Sequence, residues 1–257
     1  MLSDEQVEAF VEDGFVRIAG AFSREVAGRC LEELWAATGC DPADRSTWTR
    51  PVIRLNGFGT PPFREAANTP ALYEAFDQLV GPGRWVPRQG LGTFPVRFPS
   101  DEPPGDDGWH LEGSFPGPDG KHRVNLRSRA RALLMLFLFS DVGPSDAPTR
   151  IRVGSHRDVP ALLADAGEEG REWLDLCRDA VRASEGRPEA LATGSVGDVF
   201  LCHPFLVHAA QPHRGTEPRF MAQPPLDPAG LLDLSGAAPT PVERAVLEGL
   251  ASSRRRL

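Results

Sequence analysis

The sequence predicts an all-β core with helices: a double-stranded β-helix, or cupin-like jelly roll, flanked by N-terminal and inserted α-helices. Three observations predict it. From Trp85 onward, short apolar segments alternate with turn formers, the punctuation of a many-stranded fold. The chain carries 25 Pro and 26 Gly, so many of its connections are loops. The stretch Ala130 to Phe139 is apolar at nearly every position, as a strand covered on both faces requires.

The elements follow in order. Ser3-Asp4-Glu5-Gln6 is a capping box that opens a helix. Val7, Phe10 and Val11 follow at helical spacing, and Gly14 ends it. Phe15-Val16-Arg17-Ile18 reads as a short strand. Ser23 caps a second helix with Val26, Cys30, Leu34 and Trp35 on its buried side and Gly39 past its end. Residues 41–62 are rich in turn formers, with one apolar patch at Val52 to Leu55. Thr69-Pro70 opens a third helix, with Pro where its missing N–H costs nothing. Leu72, Phe76 and Leu79 form its apolar stripe. The expected strands are Trp85-Val86, Leu91 to Phe98, Trp109 to Gly113, Ala130 to Phe139, Thr149 to Val153, Val196 to Cys202, Leu206 to Ala210 and Arg219 to Gln223. A helical insert at 160–183 interrupts them, with Trp173, Leu176, Cys177 and Ala180 on one face. Thr240-Pro241-Val242-Glu243 is a second capping box and starts a last helix through Leu250. A single domain spans 1–257: a mainly helical part at 1–82, the core at 83–225 and an extension at 226–257.

Composition narrows the function. Hydrophobic residues make up 40% of the 257, enough for a real core. The net charge is −8, and Lys121 is the one lysine. A net acidic chain argues against general nucleic-acid binding. Arg254-Arg255-Arg256 reads as a solvated tail. The longest apolar run, Ala132 to Phe139, is too short to span a bilayer. Cys30, Cys40, Cys177 and Cys202 include no C-x-x-C pair, so free thiols in a reducing cytoplasm are expected. The first residues lack the basic and apolar regions of a signal peptide. A small-molecule partner is expected, for a monomer or homodimer.

Chemistry concentrates at Trp109-His110-Leu111-Glu112. On an extended segment, residues two apart project to one face, so His110 and Glu112 can reach one metal ion. His208, in Phe205-Leu206-Val207-His208, is the best third ligand. Two His and one carboxylate on one face of an octahedron leave positions open, the pattern of non-haem Fe(II) that activates O₂. The bland alternative is a strand-surface ion pair. His203 lies five residues before His208, so a regular strand puts the two on opposite faces and leaves His203 as the back-up. His156 belongs to a Gly-Ser-His turn with a structural role, His213 is expected in solvent, and His122 lies in a loop. Arg219 can grip a carboxylate with two hydrogen bonds, as an α-keto acid on the iron would need; its alternative is an ion pair with Glu217. Arg54 and Arg97 are further pocket cations or core-rim residues. Trp109 and Phe115 line the pocket or belong to the core.

Four stretches together resemble the phytanoyl-CoA dioxygenase family of Fe(II)/2-oxoglutarate oxygenases. They are Leu2 to Gln6 with Asp13 to Val16, Trp109 to Glu112, Thr149 to His156, and Gly197-Asp198-Val199 with His208 and Arg219. The likeness keeps its order nearly end to end. It implies that His110 and His208 are the iron imidazoles and that Glu112 stands where the family has Asp. Glu is one methylene longer, so its carboxylate must fold back to keep the metal distance. Arg219, eleven residues after His208, would hold the distal carboxylate of 2-oxoglutarate, and Thr93 would offer the cosubstrate a hydroxyl. The implied reaction consumes 2-oxoglutarate and O₂ at Fe(II), releases succinate and CO₂, and hydroxylates or otherwise oxidises an unactivated C–H of a small molecule. Because a carboxylate is present at Glu112, halogenation is not expected. Two alternatives stay open: a cupin-type metal-binding lyase or isomerase, and a catalytically silent ligand-binding relative.

Overall fold

Cap chemistry fixes the first helix. The computed structural model describes residues 1–254, with side chains through residue 252. In it the Ser3 hydroxyl accepts from the Gln6 amide, and the Gln6 side chain accepts from the Ser3 amide. Helix α1 (Asp4–Asp13) ends at Gly14, whose φ of 89° suits a residue without Cβ. Strand β1 (Phe15–Ile18) follows, then α2 (Arg24–Thr38) under its Ser23 cap. The apolar patch expected within 41–62 is β2 (Val52–Leu55). Helix α3 (Pro61–Ala67) was not anticipated, because Pro61-Pro62 reads as a turn; here the pair occupies the first helical turn, where proline is tolerated. The Thr69 hydroxyl caps α4 (Pro70–Val80).

The remainder of the chain is mostly short strands: β3 (Phe94–Arg97), β4 (Phe115–Pro116), β5 (His122–Val124), β6 (Leu133–Leu138) and β7 (Arg150–Arg152). The expected insert is α5 (Val159–Leu163), β8 (Arg171–Glu172) and α6 (Trp173–Ala183). Strands β9 (Glu189–Leu191), β10 (Val199–Cys202), β11 (His208–Ala209), β12 (Met221–Ala222) and β13 (Pro225–Leu226) precede α7 (Pro241–Arg254). Glu243 accepts from the Thr240 amide and closes the second capping box. Helix α7 takes in Arg254, the first residue of the expected arginine tail; Arg255 and Arg256 lie outside the described residues.

Two antiparallel sheets carry the site. One has the order β1-β10-β6-β12, with β13 also paired to β6. The other has the order β11-β7-β9. Strand β6 is central, and all six of its residues are buried. Its alternate residues face opposite ways. Leu133, Met135 and Phe137 join the large core packed with α1, α2, α4 and α7. Leu134, Leu136 and Leu138 join Ile151 of β7 and Phe200 of β10 in a smaller core between the sheets. Burial on both sides is why this stretch shows no polar alternation, and each large side chain contributes about 1.5–3 kcal/mol. Among the described residues no helix is long and apolar enough to cross a membrane.

His156 and His203 lie where α1, α7 and the turn after β10 meet. Neither is exposed, and their rings are 4.8 Å apart. His156 Nε2 donates to the Val11 carbonyl at 3.0 Å, and His203 Nε2 donates to the Val242 carbonyl at 3.2 Å. Burial holds His156 well below the ordinary imidazole range and pushes His203 down to about 3. The unfolded chain therefore binds protons that the folded chain refuses. Stability should be full above about pH 6.5 and fall below it, approaching about 1.4 kcal/mol per pH unit for each imidazole. Denaturant unfolding at neutral pH and at about pH 5 checks this; equal stability at both would contradict it.

Candidate metal centre

A turn carries the chain from β10 to β11 and so from one sheet to the other. At β11, His208 meets His110, and the two exchange both backbone hydrogen bonds, at 2.9 and 2.8 Å. Residues paired this way across antiparallel segments project their side chains to one face. The imidazoles accordingly lie with ring centroids 4.5 Å apart. The expected strand from Trp109 to Gly113 is only this single bridge. Beyond it the chain leaves the sheet, and the Glu112 carboxylate turns back until Oε1 is 3.5 Å from His208 Nε2. One ligand atom each from His110, Glu112 and His208 falls within 4.8 Å of the others.

The hydrogen bonds suit a metal. His110 Nδ1 lies 2.8 Å from the Gly108 carbonyl, and His208 Nδ1 lies 3.0 Å from the Leu206 carbonyl. A carbonyl only accepts, so each Nδ1 carries a proton, which leaves each Nε2 as the atom that would bind a metal. Burial, and then the neighbouring His208, push the His110 imidazole below its ordinary range and favour the neutral ligand form. Burial alone would raise Glu112, but His208 and the Arg131 guanidinium, 3.8 Å from Oε2, overcome it and hold the carboxyl at about 2. Two imidazoles, each with Nε2 available, and a carboxylate are a donor set suited to a divalent transition metal. Helix α6 braces the segment: Trp173 Nε1 and Cys177 Sγ both donate to the Leu111 carbonyl, between the two ligand residues. Nothing local in the sequence marks Arg131 or this brace.

The three side chains open onto a cavity of about 870 Å³, which Thr93 and Arg97 also line. Arg219 is not on its wall. Its guanidinium is buried behind, donating to the carbonyls of Ala147 and Pro95, with Nε unpartnered. Glu217, its expected alternative partner, pairs with Arg45 instead. Arg97 lies directly opposite Arg219, and the two exchange backbone hydrogen bonds at 3.1 and 2.8 Å. Arg97 is 3% exposed and donates to Asp106 at 2.9 Å, while its Nε and Nη1 have no partner. Arg54 shares the same carboxylate. Burial lowers the affinity of both Arg97 and Arg219 for their protons, and for Arg219 the neighbouring Arg97 adds to the effect. Two buried cations beside one shared carboxylate make a pocket that favours an added anion.

The other histidines stand apart from this centre. His203 and His156 pack together against α1 and α7. His213, expected in solvent, is 4% exposed, because residues 213–215 fold under Asp146 and near Arg219. His122 is exposed on β5.

No family model matches the chain, and no curated protein matches it in sequence. Solved structures do resemble it in fold. HygX from Streptomyces hygroscopicus, with nickel and 2-oxoglutarate bound, superposes with a TM-score of 0.55 at 21% identity, covering 87% of this chain and 86% of that one. EctD from S. alaskensis in its apoform gives 0.56 at 18% identity, covering 86% and 75%. The non-heme alpha ketoglutarate dependent epimerase SnoN, from nogalamycin biosynthesis, gives 0.53 at 18% identity, covering 86% and 80%. At these identities the likeness establishes a shared fold.

If the three side chains form one metal centre, His110→Ala and His208→Ala should each lower Ni(II) affinity at least about tenfold. His122→Ala should leave it unchanged. Titration calorimetry measures all three, and equal affinities throughout would show that these side chains hold no metal.

Proposed function

We propose that the chain is an Fe(II)/2-oxoglutarate-dependent dioxygenase of the phytanoyl-CoA dioxygenase type. It would oxidise an unactivated C–H of a small molecule in the cytoplasm and release succinate and CO₂. On this reading the two sheets are the halves of a double-stranded β-helix. The observation that carries the proposal is the His110, Glu112 and His208 cluster opening onto a cavity that the buried Arg97 guanidinium also lines.

His110, Glu112 and His208 would hold the iron on one face and leave the cavity side for ligands. Bound there with 2-oxoglutarate and O₂, the metal supplies the oxidising power for C–H cleavage. The chain supplies placement and charge. Arg97 lines the cavity and Arg219 backs it, and the Nε and Nη1 of Arg97 and the Nε of Arg219 are buried without partners. This pair would receive the distal carboxylate of 2-oxoglutarate, with Arg97 in direct contact and Arg219 supporting the charge from behind. The Thr93 residue lines the same cavity, its carbonyl pinned at 3.0 Å by the Gln223 amide, and would direct its hydroxyl to the cosubstrate. Arg131 keeps Glu112 ionised as a ligand. A 2-oxoglutarate bound at the metal needs a cation for its distal carboxylate, so the pair favours the oxygenase over a cupin-type lyase or isomerase.

Incubated with Fe(II), O₂ and 2-oxoglutarate, the protein should form succinate even without its substrate. His110→Ala should not. Arg97→Gln should raise the KM for 2-oxoglutarate at least about tenfold. Succinate formation no greater than in the His110→Ala control would sink the proposal.

A further inference from the structure

The outer wall of the cavity is one face of α6. Leu174, Cys177, Arg178, Val181 and Arg182 all line it, at the i, i+3, i+4, i+7, i+8 spacing of a single helical stripe. This face is half apolar and half cationic. Leu174 is 56% exposed, and among the described residues only Met1 is a more exposed large hydrophobic. Arg178 and Arg182 have ion-pair partners only on their own helix, Asp175 and Asp179. Those pairs are solvent-exposed and hold their cations weakly. Asp179 is shared with Arg171 at 2.6 Å, closer than its 3.8 Å approach to Arg182. Neither aspartate is on the cavity wall.

Charge is unbalanced in the same place. The wall carries Arg54, Arg97, Arg178 and Arg182 against Asp106 and Glu112, in a chain whose net charge is −8. On the oxygenase reading, an iron dication and a 2-oxoglutarate dianion cancel each other deep in the cavity. The two positive charges left over on the wall are then those of Arg178 and Arg182 at the mouth, whose partners Asp175 and Asp179 lie off the wall. Aromatic surface lies nearby. Trp109 lines the cavity with the Arg150 and Arg152 guanidiniums each 4.6 Å from its ring, so the indole is stiffly held.

Resting on that reading, we propose that the substrate is an amphiphilic organic anion. An apolar or aromatic body would lie against Leu174, Val181 and Trp109, and its carboxylate or phosphate would sit between Arg178 and Arg182. Two guanidiniums one turn apart on a helix can share one such anion. The anion at the mouth then sets which carbon of the body reaches the metal. A substrate without negative charge leaves the rim cations with only their exposed partners on the same helix.

The test uses the full chain loaded with Ni(II) and 2-oxoglutarate. Titration calorimetry compares 1-naphthyl phosphate, 2-naphthoate and the uncharged 1-naphthol. The better of the two anions should bind at least about tenfold tighter than 1-naphthol, and which one leads identifies the headgroup as phosphate or carboxylate. In the Arg178→Gln/Arg182→Gln double variant that advantage should vanish while 1-naphthol binding persists. Its melting temperature reports whether the variant is folded. Equal binding of anions and naphthol, an advantage that survives in the variant, or no anion binding at millimolar concentration would each overturn the proposal. The loading step separates the two ideas. Failure of the wild type to take up 2-oxoglutarate counts against the oxygenase, whereas uptake without anion preference counts against the substrate class alone.

Discussion

One pair of backbone hydrogen bonds organises the centre: the His110 amide to the His208 carbonyl, and its reciprocal. The two residues are far apart in sequence, and this bridge fixes their side chains on one face without any contact between the rings being required. It stands at the end of a ladder, with β11 on β7 and β7 on β9. That sheet shares an apolar layer with the larger one through Ile151, Leu136 and Phe200. The position of the two imidazoles thus depends on that apolar layer, which His208 meets through its pairing with Ile151. Glu112 gains its place differently, through Arg131 on one side and the α6 brace at Leu111 on the other.

Electrostatics divide the cavity. Its inner part holds two imidazoles, an ionised carboxylate and guanidiniums that burial has stripped of water. A cation left there with unpartnered N–H groups costs free energy that a bound carboxylate would offset. The outer part is solvated, and its arginines stand on a helix rather than in the core. Inner charges are suited to fixing a ligand in one geometry. Outer ones suit attraction and selection, which salt weakens.

Much of this was legible in the sequence, and the legible parts share a cause. Ser3 with Gln6, Ser23, Thr69, and Thr240 with Glu243 act on backbone groups within one turn, so the helix starts follow from local chemistry. The central place of Ala130 to Phe139 follows from its apolarity at every position but Arg131. His110, Glu112 and His208 could be grouped by residue type and spacing, although the regular strand invoked for the first two is a single bridge. Most of what was hidden is non-local. The burial of His213 goes with long-range backbone bonds, from the Ser100 amide to its carbonyl and from the Arg214 amide to the Ser145 carbonyl, whereas the helix at Pro61 was missed for a local reason, the place of a proline pair in the first turn. The register that sets Arg97 against Arg219, and puts Arg97 rather than Arg219 on the cavity wall, is decided by pairing between segments more than a hundred residues apart. The recurrence of Leu174, Arg178 and Arg182 is visible in the sequence, but only the fold turns that stripe toward the cavity.

The most direct test is optical. Anaerobic addition of 2-oxoglutarate to the Fe(II)-loaded protein should produce a visible charge-transfer band, as a chelated α-keto acid on an iron held by two imidazoles and a carboxylate would give. The band should be missing in Glu112→Ala and in His208→Ala. A wild-type protein that binds iron and 2-oxoglutarate yet shows no band, or a band that persists without these side chains, would mean that His110, Glu112 and His208 do not share one metal.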